Sequence, residues 1–439
     1  MARTTQPKQK LNPLLRISKY FWTLPAFYTL SAIVWLTATS NVMRSSWVGD
    51  DWPNSQTPYW VFWRYGDLSP ANVFSEAQYW NNQWMLGQGR FYFIHWLESR
   101  FAFSYLRSLW SYKLVETGCL FLAGILFILL IYKLSKSHTL AIFTLFSLSV
   151  TMQFRKDFDP HIAFAFMVPS LMIKVFVAGI LAYYASVAKN NLKGYTLSCL
   201  AGFSLLLAIS TYEYAFLMFP VILIAFVIGI IQFSNPDPNV SFFRFLVKSL
   251  KTRLMFRFIP IFITWIAYAI FVFGYLRVNA SAISGVYVLG FSKTSLSTFI
   301  TQLFPAWPLT VFQFSDFEGL AYKEIALLAS ISVFATLILI MFLARIFPAK
   351  DMRSINKNSN WNRVLPLLIL LAVDLVAAPG FMLSLQREWW GRTSFTRGYL
   401  GILIQEFGTA LIISIFLNSL TQKNLRLKKS TRDPRSSRE

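Results

Sequence analysis

The strongest constraint on this chain is a succession of apolar runs, each close to the length a helix needs to cross the roughly 30 Å hydrocarbon layer of a bilayer. They stand at about 21–43, 113–133, 138–154, 160–187, 195–211, 214–233, 258–278, 324–345, 364–384 and 399–420. Backbone polar groups in hydrocarbon must be satisfied inside the spanning segment, so runs of this kind predict helices. The short alternating segments of an outer-membrane barrel are absent from the sequence. Only 14% of residues are charged, against about 25% in soluble domains. The predicted fold is therefore all-α: a polytopic bundle of about ten spans, with interfacial helices in a large first outer loop.

The formal net charge of +22 invites a nucleic-acid reading, but the distribution of the charge opposes it. With the amino terminus inside, 26 of the 41 basic residues fall in the inner segments. This is the positive-inside bias of a membrane protein, and it places both termini in the cytoplasm. The basic excess is assigned to topology and to contact with anionic lipid, with no nucleic-acid partner. Acids sort the other way. Asp50, Asp51, Asp67, Glu76, Glu98, Asp157, Asp159, Glu213, Asp316, Glu318 and Glu388 lie at or near the outer face. Positive-inside sorting places few demands on acids, so the asymmetry points to chemistry on that face. Cys119 and Cys199 sit within predicted spans at different depths, which disfavours a disulfide. The first apolar run is too long for a typical signal segment, so an uncleaved anchor is expected in the cell membrane.

Residues 1–20 form a basic cytoplasmic tail, 21–421 the membrane domain with its outer loop 44–112, and 422–439 a basic tail expected to be disordered. The outer loop holds 8 of the 15 tryptophans, and tryptophan prefers the headgroup level. The loop is therefore expected to hug the bilayer, with flat segments at 59–63 and 72–86. A further helix, re-entrant or interfacial, is expected near 296–304.

Asp50-Asp51-Trp52 opens this loop just past the first span. Two adjacent carboxylates at a membrane surface could supply a general base or a metal ligand. The plainer alternative is a solvated acidic turn. Thr211-Tyr212-Glu213-Tyr214 joins two spans with almost no loop, so Glu213 should lie near the membrane surface, where a carboxylate is either functional or simply wet. Arg387, Arg392 and Arg397 cluster on an outer loop, where positive-inside sorting disfavours arginine. Their geometry suits phosphate, and headgroup anchoring is the alternative. Asp157, Asp159 and His161 share a short turn and could bind a divalent metal, Mg or Mn, although Asp and Pro are also ordinary turn residues. Lys174, Asp374 and Glu406 fall inside spans, where they could pair, line a path or, for Lys174, snorkel. No phosphate loop, dinucleotide fingerprint, nucleophile elbow or zinc motif is present.

Gly49-Asp50-Asp51-Trp52, the Trp80 to Trp84 stretch and Gly89-Arg90-Phe91 resemble the GT-C superfamily of membrane glycosyltransferases, and within it bacterial Gtr-type glucosyltransferases. Tyr212-Glu213 and the arginines before Tyr399 are similar to features of enzymes that use polyprenyl-phosphate sugars. The resemblance implies sugar transfer on the outer face from a polyprenyl-phosphate-linked donor to a cell-envelope glycan or lipid acceptor. It implies a loop carboxylate, Asp50, Asp51 or Glu213, as base, and Arg90, Arg387, Arg392, Arg397 and Tyr399 toward substrate. The chain departs from the pattern in its weak 279–323 region and in lacking a large soluble carboxy-terminal domain. Two other classes compete: an O-antigen-type polymerase or ligase, whose large arginine-bearing loops tend to come late in the chain, and a lipid or sugar transporter, whose paired repeats and interrupted helices are not evident.

Overall fold

The structure is a computed structural model that describes residues 24–47, 49–153, 161–164, 166–234, 256–280, 290–303, 305–307, 361–387, 390 and 401–432. No strand occurs among them. Helix α1 (Leu24–Thr39) leads through a 3₁₀ turn into four loop helices: α2 (Asp51–Asn54), α3 (Thr57–Tyr65), α4 (Pro70–Gln88) and α5 (Phe93–Tyr105). The bundle follows as α6 (Leu109–Ser135), α7 (His138–Thr151), α8 (Met167–Val187), α9 (Asn191–Thr211), α10 (Tyr214–Ser234) and α11 (Ile259–Asn279). The short α12 (Lys293–Gln302), then α13 (Trp361–Leu385) and α14 (Ile402–Arg432), complete it.

Seven helices, α6, α8 to α11, α13 and the first part of α14, are long and apolar enough to cross a membrane. They coincide with seven of the predicted runs. Two more predicted runs are shorter helices, α1 with 16 residues and α7 with 14. The run at 324–345 lies outside the described residues. The loop segments at 59–63 and 72–86 fall within helices α3 and α4, and α12 covers most of 296–304. Helix α14 continues to Arg432, where the sequence predicts disorder from residue 422. Leu, Lys, Arg and Gln are good helix formers, so the last span has no reason to stop at the end of its apolar part.

Local sequence sets the loop helices. Helix α3 ends at Gly66 and α4 at Gly89, both in the left-handed region, and α4 starts with Pro70 after Ser69. Proline is favoured at the first helical position and glycine just past the last. In the bundle, Ser108, Ser137 and Asn190 cap α6, α7 and α9 by accepting backbone N–H groups, replacing bonds the first turn lacks. Helix α8 occupies the centre, packed against α6, α9 and α10. Phe127, Phe176 and Phe407 meet there with ring centroids 5.0–5.1 Å apart. Leu200, Phe203, Ile263, Ile270, Ile369 and Leu370 stay exposed on the outside of α9, α11 and α13. Large apolar side chains turned outward on several spans suit a lipid surround.

The loop helices, Glu213 and the end of α11 share one end of the bundle, since Arg90 and Arg277 both reach Glu213, and Pro379 near the end of α13 lies there too, meeting Gly401 beside Tyr214. Cys119 and Cys199 are both unpaired thiols.

Candidate active site

The loop end is built from buried charges held in pairs. Asp51 is fully buried and accepts the Tyr112 hydroxyl at 2.9 Å. Tyr112 stacks on Phe103 and lies against Trp47, so the first turn of α6 fixes the start of the loop. Asp50, one residue earlier, is exposed. Surrounding protein still desolvates its carboxyl and raises its pKa above the ordinary 3.8. The pair thus divides into a carboxylate locked in the fold and one that a second molecule can reach.

Glu213 sits between α9 and α10 and is 2% exposed. Arg90 grips it with both arms, Nε donating to Oε1 at 3.2 Å and Nη2 to Oε2 at 3.1 Å. Fork-to-carboxylate bonding of this kind is among the strong hydrogen-bond geometries. Tyr92, Trp84 and Tyr212 surround the Arg90 guanidinium at 4.5, 5.7 and 5.8 Å. Gly89 makes the approach possible. Its φ is +64°, and a Cβ there would lie 2.7 Å from the Arg277 Cα. The Gly-Arg dipeptide therefore caps α4, admits the α11 backbone and delivers Arg90 to Glu213. Arg277 also reaches Glu213, Nη2 to Oε1 at 3.6 Å. It follows directly on a π-helical stretch, Ile270–Leu276, a rare form that recurs at functional sites.

A second buried arginine, Arg100 on α5, donates to Asn54 and Thr57 at 3.1 and 2.5 Å. Trp96, Trp80 and Trp60 enclose it at 4.8, 5.3 and 5.6 Å. Arg64 pairs with buried Glu76 at 2.6 Å, and Glu76 also accepts the Trp80 indole. Several of the loop tryptophans are thus the walls of an arginine site, a use beyond the aromatic belt the sequence suggests. On the same helix His95 is buried, which with nearby Arg100 and Lys174 pushes its pKa down to about 3.

Lys174, in α8, donates to Glu98, Ser170 and Thr211 at 2.6–2.8 Å. Lys113 pairs with Glu116 and donates to the Ile162 carbonyl. Glu406, in α14, meets His161 Nε2 at 2.7 Å and accepts the Gln153 backbone N–H at 3.2 Å. These bonds hold the turn before α8, where Phe164 and Phe166 adopt positive φ of 63° and 48°. Bulky residues there cost roughly 1–3 kcal/mol each and persist when surroundings over-determine them.

Asp157 and Asp159 lie outside the described residues. His161, the described member of the expected metal set, has one ring nitrogen engaged by Glu406, and no group of three potential ligands occurs among the described residues. Arg392, Arg397 and Tyr399 also lie outside. Arg387 is exposed with its guanidinium 5.9 Å from the Trp390 ring. The structure thus brings Arg90 and Glu213 together and gives Asp50 and Asp51 different environments. Arg100 and Arg277 escape the sequence reading, and Glu98 enters it only as one of the outer acids. Arg277 had a signal of its own, an arginine at the outer end of a span, where topology disfavours one.

An apolar cavity of about 460 Å³ opens beside this region between α10, α11, α12 and α13. Phe216, Phe219, Trp265, Phe299 and Phe381 line it, with Asp374 as its carboxylate. Comparison with family models, with curated proteins and with solved structures finds no match.

Proposed function

We propose that the chain is a membrane glycosyltransferase that moves a sugar from a polyprenyl-phosphate-linked donor to a cell-envelope glycan or lipid acceptor on the outer face. The observation that carries this reading is the division of the Asp50–Asp51 pair at the mouth of a folded loop. Asp51 is spent on Tyr112, whereas Asp50 is accessible and carries a raised pKa. A partly desolvated carboxylate beside a second one suits proton acceptance from an acceptor hydroxyl. The oxygen so freed would attack the anomeric carbon. The new C–O bond forms as the bond to the lipid phosphate breaks, and the phosphate leaves with the electron pair. Positive charge must meet that phosphate, and the arginines of the loop end are the groups to do so.

Glu213 is less suited to act as base, because both its oxygens are already bonded to Arg90. Of the three span residues singled out from the sequence, Lys174 and Glu406 are closed in ion pairs, which removes much of the support for a transport path. Transfer of radiolabelled sugar from a polyprenyl-phosphate donor, in membranes with and without the chain, tests the reading. Absence of chain-dependent transfer across a panel of donors would refute it.

A further inference from the structure

We propose that Arg277 is the phosphate-binding residue of a lipid site whose tail lies in the aromatic cavity between α10, α11, α12 and α13. The proposal deepens the reading above and rests on it for the lipid-linked substrate class.

Three observations carry it. The first is an unmet donor. Arg90 takes the short bonds to Glu213, and Arg277 is left with a contact of 3.6 Å. The Arg277 Nε is buried with no hydrogen-bond partner, yet its side chain keeps 15% exposure, against 5% for Arg90 and 3% for Glu213. A buried N–H with no partner is costly to leave unsatisfied, and the planar guanidinium fork matches phosphate oxygens. Glu213 holds Arg277 in place without saturating it.

The second observation is nearness to the cavity. The Arg277 guanidinium stands 5.3 Å from the Phe273 ring. Phe273 meets Phe216 at 5.6 Å, and Phe216 stacks on Trp265 at 4.7 Å. Phe216 and Trp265 are walls of the cavity. One layer of aromatic rings therefore separates the arginine from an apolar space of about 460 Å³, within the size range of small-molecule sites.

The third is polarity. Asp374 lines the cavity, and its Oδ2 is buried with no hydrogen-bond partner. That end offers a phosphate no positive charge, whereas Arg277 offers a guanidinium. An amphiphile with one anionic head and one apolar chain thus has a single favoured orientation, head at the end of α11 and chain across the aromatic rings. The π-helical stretch before Arg277 lies on the same path.

The test uses the full chain in phosphatidylcholine nanodiscs, so that bulk phospholipid competes in every arm. Binding of geranylgeranyl phosphate, geranylgeraniol and inorganic phosphate is measured by tryptophan fluorescence, Trp265 being a cavity wall. Geranylgeranyl phosphate should bind more tightly than either other probe. Arg277→Ala should weaken it by about 10- to 100-fold, the scale of a lost hydrogen bond to a charged group, and Arg277→Lys should restore only part. Arg277→Ala should leave geranylgeraniol unchanged. Ala378→Trp, which fills the cavity and spares the arginines, should weaken both lipids; it keeps the test decisive if Arg277→Ala fails to fold. Equal binding of geranylgeraniol and its phosphate, or full affinity in Arg277→Ala, overturns the head assignment. Inorganic phosphate binding as tightly as the lipid, or full affinity in Ala378→Trp, overturns the tail assignment. Phosphate-selective lipid binding with no sugar transfer would leave the lipid site standing and sink the transferase reading. Transfer with Arg277-independent binding would do the reverse.

Discussion

Breaking the Arg90–Glu213 pair should destabilise the protein in an order set by what each partner retains. Arg90→Met leaves a carboxylate that is 3% exposed facing Arg277 at 3.6 Å. It also loses two charge-assisted bonds of 3.1 and 3.2 Å, each worth about 1.5–3 kcal/mol. Stranding one member of a buried pair costs roughly 3–5 kcal/mol, and Arg90→Met should sit at the upper end. Glu213→Gln should cost less, about 2–3 kcal/mol. The amide oxygen can still accept one bond, and the rings of Tyr92, Trp84 and Tyr212 remain around Arg90. The double variant Arg90→Met with Glu213→Gln should be milder than the sum of the single changes, because once one partner is replaced the other has no ion pair left to lose. Equilibrium unfolding in mixed sodium dodecyl sulfate and maltoside micelles, followed by tryptophan fluorescence, gives the three values. Single costs below about 1 kcal/mol, or additive effects in the double variant, would refute the reasoning, since interacting residues should couple.

Asp50→Asn should lower transfer about 100-fold or more, the usual scale for a lost general base, and near-normal turnover at equal membrane abundance would remove Asp50 from the chemistry. In the parent chain the acid limb of kcat/KM should lie above pH 3.8, because desolvation raises this carboxyl and the base works only when deprotonated. His95 should make stability fall with acid: its folded pKa of about 3 is below the ordinary 6.5, so the unfolded chain binds the extra proton between those values. Going from pH 7 to pH 5 should cost about 2 kcal/mol from this residue, and comparing the pH slopes of unfolding for His95→Asn and the parent measures it. Gly89→Ala should destabilise the loop end by at least about 1 kcal/mol, because φ is +64° and the α11 backbone leaves no room; a thermal unfolding midpoint equal to the parent's would contradict this. Impermeant thiol reagents applied to intact cells should label Asp67→Cys and not Lys193→Cys, and the opposite pattern would place the loop helices in the cytoplasm.

The spans were legible because hydrocarbon allows few solutions: seven apolar runs became seven long helices, and the loop segments at 59–63 and 72–86 became helices α3 and α4. The site was legible only as separate residues. Arg90 and Glu213 each stood out, but 123 residues separate them, and no local pattern encodes such a pairing. The partners of Glu406 and Lys174 lie 245 and 76 residues away and stayed hidden for the same reason. Asp50 and Asp51 could not be told apart, because neighbours in a loop have no periodicity, and only the position of Tyr112 divides them. Arg100 was hidden by its own surroundings, since tryptophans that serve a headgroup belt and tryptophans that enclose a guanidinium look alike in one dimension.

Helix α7 has a consequence for how the protein meets its bilayer. Its 14 residues rise about 21 Å at 1.5 Å per residue, short of the roughly 30 Å hydrocarbon thickness. An isolated helix of that length would thin the membrane or tilt its neighbours. Here α14, α6 and α1 pack around it, so lipid tails are replaced by protein along most of its length. At the loop end of this short helix Gln153, His161 and Glu406 are buried, with Glu406 bonded to both of the others. Polar groups can thus sit below the level of the headgroups while facing protein, and the bilayer has no cause to pucker around them.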